Sequence, residues 1–359
     1  MLYDNPQWIS DINTVIPIIK TELDVLSGHN VLITGGAGLV LSPIIDIIFR
    51  YNDITNAVTD PTRRITVLAA GRWLEEMTSR FGNKVERPDF IFITYDATKT
   101  DQVLDCKADY IIHGASNSNP TAIIKEPVET MVSNFLGMKF LLDYAKQAGT
   151  KRVLYISSSE VYGKKDDSEP FKENQYGSID LLNPRNSYSI GKSAAETLGV
   201  SYSAEYGVES VFIRPGHIYG PTANPHDNHV SSAWAFQAAR GEEIVMKSDG
   251  KQLRSYVYCL DTSSAVIKVL ISGKNCHAYN ISNPNSVIDI KTMGEILAKA
   301  GGVEMRMELP TDAEKKGFNP MSNSSLESTS LQALGWKGMF DAKTGFDHTV
   351  KILKDVYGY

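Results

Sequence analysis

Short apolar runs alternate along the first two-thirds of the chain with longer stretches of helical period. Val31–Thr34, Ile65–Ala70, Phe90–Thr94, Tyr110–His113, Arg152–Ser157 and Ser210–Arg214 read as strands. Leu39–Arg50, Ile123–Gln147 and Ser187–Tyr206 read as helices between them. Strands that are apolar throughout are covered on both faces, so the pattern predicts an α/β fold with a doubly wound parallel sheet. Ligands bind such sheets beyond the carboxyl ends of the strands, where this chain carries its Gly, Ser, Asp and His residues. After Pro221 the elements shorten. Val257–Leu260 and Tyr279–Ile281 read as strands, and Asp261–Ser272, Ile290–Ala300 and Asp341–Tyr357 as helices. The expected organisation is an N-terminal helical extension over 1–28, a dinucleotide-binding domain over 29–216 and a smaller mixed α/β lobe over 217–359. The segment 261–283 is a candidate to return to the main sheet.

Composition narrows the function classes. At ~150 residues per domain, 359 residues suit about two domains or one elaborated α/β unit. Lysine plus arginine is 36 and aspartate plus glutamate is 42, so the net charge is 36 − 42 = −6. A mildly acidic chain without a basic block is not built for nucleic acid. No apolar run approaches the ~20 residues of a membrane span. The N-terminus has no basic run and is interrupted by Asp4 and Asp11, which argues for a packed amphipathic helix rather than a secretory signal and leaves the cytoplasm as the default. Cys106, Cys259 and Cys276 are scattered with no CxxC pair, so no metal site is expected.

Thr34-Gly35-Gly36-Ala37-Gly38 lies between a strand and a helix. There Gly35 can take a tight turn, Gly38 lets the backbone approach a pyrophosphate, and the helix N-terminus offers free N–H groups. The third glycine of this spacing is replaced by Leu41. No carboxylate ends the second strand, and Arg72 stands where a 2′-phosphate is met, which tilts the expected cofactor, NAD or NADP, toward NADP. Asp96, at the end of the third strand, is a candidate for the adenine amino group.

Tyr188-Ser189-Ile190-Gly191-Lys192 puts a phenol and an ammonium at i and i+4 on one helix face. An ammonium beside a phenol favours the phenolate and lowers its pKa from ~10, which suits a base. Ser157-Ser158-Ser159-Glu160-Val161-Tyr162-Gly163 ends the fifth strand and offers a hydroxyl to share with a reacting oxygen.

The order of these motifs resembles the extended short-chain dehydrogenase/reductases, in the NAD-dependent epimerase/dehydratase group. The likeness spans about 29–300 and rests on TGGAG, DAT at 96–98, HGAS at 113–116, SSSEVYG, YSIGK, RPGHIYGP at 214–221 and SDGKQLRSYVYCLD at 248–261. It implies a Rossmann-like fold, a bound nicotinamide, a nucleotide-diphosphate sugar as substrate and a homodimer built on 123–147 and 187–206. It implies Tyr188 as base, with Lys192 and Ser158 as its partners. Asn134 sits where relatives carry a structural asparagine. Cofactor contacts are implied at Gly35, Gly38, Leu39, Arg72, Asp96, Ala97, Ala115, Lys192 and Pro215. Substrate contacts are implied at Arg254, Arg185, Ser116 and His217, the last standing where many epimerases have asparagine. Glu160 in S-x-E-V-Y-G is similar to the UDP-glucuronate decarboxylases, whereas 4,6-dehydratases carry an aspartate where this chain has Ser159. Decarboxylation of a hexuronate through a 4-keto intermediate is therefore the leading expectation. 4-Epimerisation, 4,6-dehydration and a dinucleotide-binding sensor without turnover are the alternatives.

Overall fold

A computed structural model describes residues 1–165, 167–308 and 322–359. The central sheet is built from β1 (Asn30–Thr34), β2 (Thr66–Gly71), β3 (Phe90–Thr94), β4 (Tyr110–His113), β5 (Arg152–Ile156) and β6 (Ser210–Pro215). Beyond it come β7 (His217–Tyr219), β8 (Ile244–Met246), β9 (Leu253–Tyr258), β10 (Ala278–Ile281), β11 (Val287–Asp289) and β12 (Met305–Met307). The large sheet runs β10-β6-β5-β4-β1-β2-β3, and its pairs are all parallel.

Alternation along each strand explains the layers. Val31, Ile33, Ile112, Leu154, Ile156, Val211 and Ile213 share one core with the helices Ser42–Ile54 and Cys259–Ser272. Their strand neighbours Leu32, Ile111, Val153, Tyr155 and Phe212 share the other core with Pro127–Ala148 and Ser187–Tyr206. Successive side chains point to opposite faces, so an all-apolar strand needs helices on both. The N-terminal helix Pro6–Val15 joins the first core, where buried Trp8 donates its indole N–H to Asp46 at 2.9 Å.

Strand order reverses about β1, whose neighbours are β2 on one side and β4 on the other. The connections leaving β1 and β4 therefore go to opposite faces, and a crevice opens between their carboxyl ends. Register lines up Thr34, Ala70, His113 and Tyr155 across this edge. A smaller sheet, β11-β9-β7, and the pair β12-β8 form a mixed layer with the helices Val230–Arg240, Ile290–Gly301 and Ala342–Tyr357.

Three elements differ from expectation. The helix after the glycine turn begins at Ser42 rather than Leu39, with Pro43 in its first turn. The long helix expected over 123–147 is two, Pro120–Lys125 and Pro127–Ala148, because Glu126 ahead of Pro127 leaves helical geometry at φ −130°, ψ 57°. The strand placed at Val257–Leu260 is Leu253–Tyr258, and Cys259 already belongs to the next helix. An apolar run alone does not separate buried strand from buried helix.

Leu41 finds its room at Gly114. A Cβ built on Gly114 would stand 2.5 Å from Leu41 Cδ1 and 3.1 Å from Ile156 Cγ1. The glycine missing from the first turn is thus offset by one at the end of β4, and buried Leu41 fills the gap. Gly114→Ala is expected to cost about 1–3 kcal/mol, as overpacking does. Adding Leu41→Ala should return part of it. Denaturant melts of the two single variants and the double variant measure this coupling, and simple additivity would refute it.

Candidate active site

The end of β5 meets one helix face residue by residue. Ile156, Ser157 and Ser158 face Lys192, Glu196 and Tyr188 on the Ser187–Tyr206 helix. Lys192 Nζ donates to the Ile156 carbonyl at 2.7 Å, and Ser157 Oγ donates to Glu196 at 2.5 Å. Ser158 lies near enough to the Tyr188 hydroxyl to favour its ionised form. The helix is brought close by Gly191, where a Cβ would lie 3.3 Å from Asn134 Cβ on the neighbouring helix. Asn134 in turn accepts a hydrogen bond from the Tyr155 hydroxyl at 2.9 Å. Lys192 Nζ lies 4.7 Å from the Tyr155 ring centroid and 5.6 Å from that of Tyr188.

Electrostatics here run against one expectation. Burial pushes the Tyr188 hydroxyl above its ordinary range. The Glu160 charge adds to the rise, while Ser158 and Arg185 oppose it. Lys192 does not lower Tyr188 in the protein alone, because burial brings Lys192 itself down to about 7 against the pull of Glu196. A buried ammonium is a weak source of positive potential until something restores its charge.

Glu160 and Arg185 form a fork at the mouth of the site, with Nη1–Oε2 at 3.2 Å and Nη2–Oε1 at 3.1 Å. Both are partly exposed. Arg185, expected on the substrate, is held by this carboxylate, and the loop that does so is ordered by Asn183 accepting from the Arg185 N–H at 3.0 Å.

The glycine turn and its surroundings fit a dinucleotide. Gly35 sits at φ +81°, a conformation other residues avoid. A Cβ there would press within 3.1 Å of the Ala115 nitrogen, so the turn is a cradle that a side chain would fill. Gly38 is exposed, and Leu39 is fixed by Thr222 Oγ1 donating to its carbonyl at 2.9 Å. The Thr34 hydroxyl accepts from the Gly114 and Ala115 N–H groups at 3.2 Å each, so its own proton goes to His113 Nδ1 at 2.7 Å. His113 is therefore the neutral Nε2–H form, and burial followed by the Lys192 charge takes its pKa down to about 3. Its Nε2 and the Ser116 hydroxyl are buried without a partner among the described residues.

Arg72 is exposed at the end of β2. It contributes with Lys99 to lowering the Asp96 pKa. Burial would raise that carboxyl, but two hydrogen bonds from Thr98 outweigh it. Asp96 thus spends one oxygen on its own turn, with Thr98 N at 3.0 Å and Oγ1 at 2.7 Å. Ala97 is packed against Gly137, and Pro215 ends β6 beside Ile281.

His217 and Arg254 come together from β7 and β9, where His217 pairs with Tyr256. Burial, then the charges of Arg254 and His229, takes His217 down to about 3, and its Nδ1 has no partner among the described residues. Arg254 is buried, with Nη1 donating to the Leu253 carbonyl at 2.8 Å. The sequence did not single out Glu196, Arg214 or His113. For Glu196 the signal was present, since it continues the i, i+4 series of Tyr188 and Lys192. Among the described residues there is no cluster of His, Cys, Asp or Glu able to hold a metal, and no helix is long and apolar enough to cross a membrane.

Comparison with known proteins follows the same outline. The sequence pattern of the NAD dependent epimerase/dehydratase family matches residues 31–282. UDP-glucuronic acid decarboxylase 6 of Arabidopsis thaliana is 28% identical over 322 residues, 89% of this chain and 87% of that protein. A solved epimerase from Methanothermobacter thermautotrophicus superposes with a TM-score of 0.79 at 19% identity, covering 96% of this chain and 97% of that one. A dTDP-glucose 4,6-dehydratase from Bacillus anthracis, solved in complex with NAD, superposes with a TM-score of 0.75 at 17% identity, covering 92% and 98%. With glycine cradle, strand-end serines and Tyr–Lys helix in one crevice, the chain belongs to the NAD dependent epimerase/dehydratase family.

Proposed function

We propose that the protein decarboxylates a UDP-hexuronate such as UDP-glucuronate through a transient 4-keto sugar. The carrying observation is Glu160 at the mouth of the Ser158–Tyr188–Lys192 cluster, forked to Arg185. The likeness to UDP-glucuronic acid decarboxylases supports this choice of reaction. A nicotinamide, when bound, supplies the acceptor and later the donor of hydride at carbon 4. Gly35, Gly38 and Leu39 would hold its pyrophosphate, Asp96 and Ala97 its adenine, and Ala115, Lys192 and Pro215 its nicotinamide half. Arg72 and Lys99 near the adenosine end, with no carboxylate closing β2, favour NADP over NAD.

Tyr188 takes the 4-hydroxyl proton, with Ser158 sharing the hydrogen bond. The ketone at carbon 4 is β to the carboxylate. The carbon 5–carbon 6 bond breaks, its electron pair passes into the ketone as an enolate, and carbon dioxide leaves. Carbon 5 is then protonated. Glu160 and Arg185 orient the uronate carboxylate, and Arg254, His217 and Ser116 line the path to the diphosphate.

Product mass tests the reading. Incubation with UDP-glucuronate and NAD or NADP should give a UDP-pentose lighter by carbon dioxide. Loss of water from UDP-glucose or dTDP-glucose would instead make the protein a dehydratase. Isobaric conversion, seen by NMR, would make it an epimerase.

An exposed apolar face suited to a second copy lies on the two long helices beside the site. Val128, Met131 and Phe135 stand exposed at i, i+3 and i+7 on Pro127–Ala148, beside exposed Val200 on Ser187–Tyr206. We infer a homodimer joined through this face. Light scattering should give twice the chain mass, falling to one with Phe135→Glu.

A further inference from the structure

Three consecutive residues of β5 and its extension touch three residues spaced by one turn on the adjoining helix. Two of those contacts involve the proposed base and its lysine. The third, Ser157 with Glu196, has no assigned purpose. Glu196 is buried and receives three side-chain hydrogen bonds: Ser157 Oγ at 2.5 Å, Arg214 Nε at 3.0 Å and Arg214 Nη2 at 2.6 Å. Arg214 is anchored in turn by donating to the Glu173 carbonyl at 3.0 Å and by lying 4.9 Å from the Tyr162 ring centroid. The outer side of this pair opens to a cavity of about 380 Å³ lined by Tyr176, Gly177, Ile190, Ser193 and Thr197.

We propose that Glu196, clamped by Ser157 and Arg214, is the positioning residue for Lys192, fixing the helix against the end of β5 and supplying the counter-charge of the buried ammonium. The inference rests on the proposed function for its kinetic readout only. Among the described residues, four titratable groups surround Lys192. Tyr188 and Glu196 lie on its own helix, Tyr155 on β5 and His113 on β4. Tyr155 and His113 are neutral at ordinary pH. Burial drives the first up and the second down. Glu196 is therefore the one carboxylate among these groups. Arg214 and Ser157 together hold the carboxylate in place one helical turn from Lys192.

The test uses cofactor-loaded Glu196→Gln, Glu196→Asp and Ser157→Ala. Two readouts are followed from about pH 6 to about pH 10. One is kcat against pH. The other needs no substrate: the Tyr188 phenolate absorbance, taken as the difference from Tyr188→Phe. Glu196→Gln should lower kcat about tenfold or more with KM little changed. It should also move the alkaline limb of kcat at least about one pH unit to acid and move phenolate formation upward. Glu196→Asp should restore the position of both. Ser157→Ala, which loosens the clamp and keeps the charge, should lower kcat without moving the limb. A purely structural Glu196 would lower the melting temperature and leave both titrations where they are, which overturns the proposal. If Glu196→Gln does not fold, Ser157→Ala decides it: an unchanged kcat there overturns the proposal. If the wild-type protein turns over no nucleotide sugar, the functional reading fails by itself, and the phenolate titration still decides the role of Glu196.

Discussion

Tyr188→Phe is expected to reduce turnover by about 10³-fold or more while leaving the fold and cofactor retention intact. The size follows from what is removed. General-base catalysis contributes typically ~10²–10⁴-fold, and the polar groups around this one are otherwise engaged, Glu160 by its fork with Arg185. Ser158 already accepts from the Glu160 N–H at 3.1 Å. Lys192 is pinned to the Ile156 carbonyl. His113 is a buried neutral ring whose Nδ1 already receives the Thr34 proton. Removing a phenolic oxygen leaves the ring in place, so packing against Lys192 survives and stability should change little. The comparison to make is product formation beside bound-cofactor content in the two proteins. Loss of both together would mean that Tyr188 holds the cofactor rather than performing the chemistry. Retention of activity would remove it from the mechanism.

Much of the fold could be read because the sheet is buried on both faces. Strands such as Tyr110–His113 carry no polar face, and a continuous apolar run bounded by glycine or serine is their direct signature. The same property hid the boundary at Tyr258. There a strand containing Arg254 and Ser255 runs straight into the buried helix Cys259–Ser272, so polarity marked the wrong end. Pro127 announced the helix break at Glu126, but a strong apolar period on either side outweighed it. The helix Val230–Arg240 leaves little trace in the sequence pattern, because its alanines and serines give little amphipathic contrast.

The site divides along a similar line. Residues joined by local spacing were visible: Tyr188 and Lys192 share a helix face, and Ser158 and Glu160 follow one strand. Relations that depend on how distant segments meet were not. Nothing in the sequence says that Arg185 turns back onto Glu160, since the two are 25 positions apart and joined by a loop. Nor does local sequence show that Gly114 makes the room Leu41 needs. The lowered Tyr188 pKa expected from an i+4 lysine assumed a charged lysine in a polar setting. The actual setting is buried, and desolvation acts on both partners before their attraction does.

Glu160→Gln is expected to separate the two halves of the reaction. On the proposed mechanism, oxidation at carbon 4 rests on Tyr188, Ser158 and Lys192, none of which is hydrogen-bonded to the Glu160 carboxylate. The change should even ease loss of the Tyr188 proton, because the Glu160 charge is one of the causes raising its pKa. On the same mechanism, carboxylate placement and protonation at carbon 5 fall to the fork. Glutamine keeps the shape but gives Arg185 a single acceptor oxygen and no charge, and the released guanidinium would bind the uronate in place of Glu160. Turnover of UDP-glucuronate should fall about 10²-fold, the lower range for loss of a proton-transfer group. The 4-keto sugar should accumulate and be trapped by borodeuteride as a deuterium-labelled alcohol, visible by mass spectrometry. An equal fall in turnover without trapped ketone would place Glu160 in the oxidation step. Unchanged turnover would reduce the Glu160–Arg185 fork to a loop ion pair, and the choice of decarboxylation would then lose its structural support.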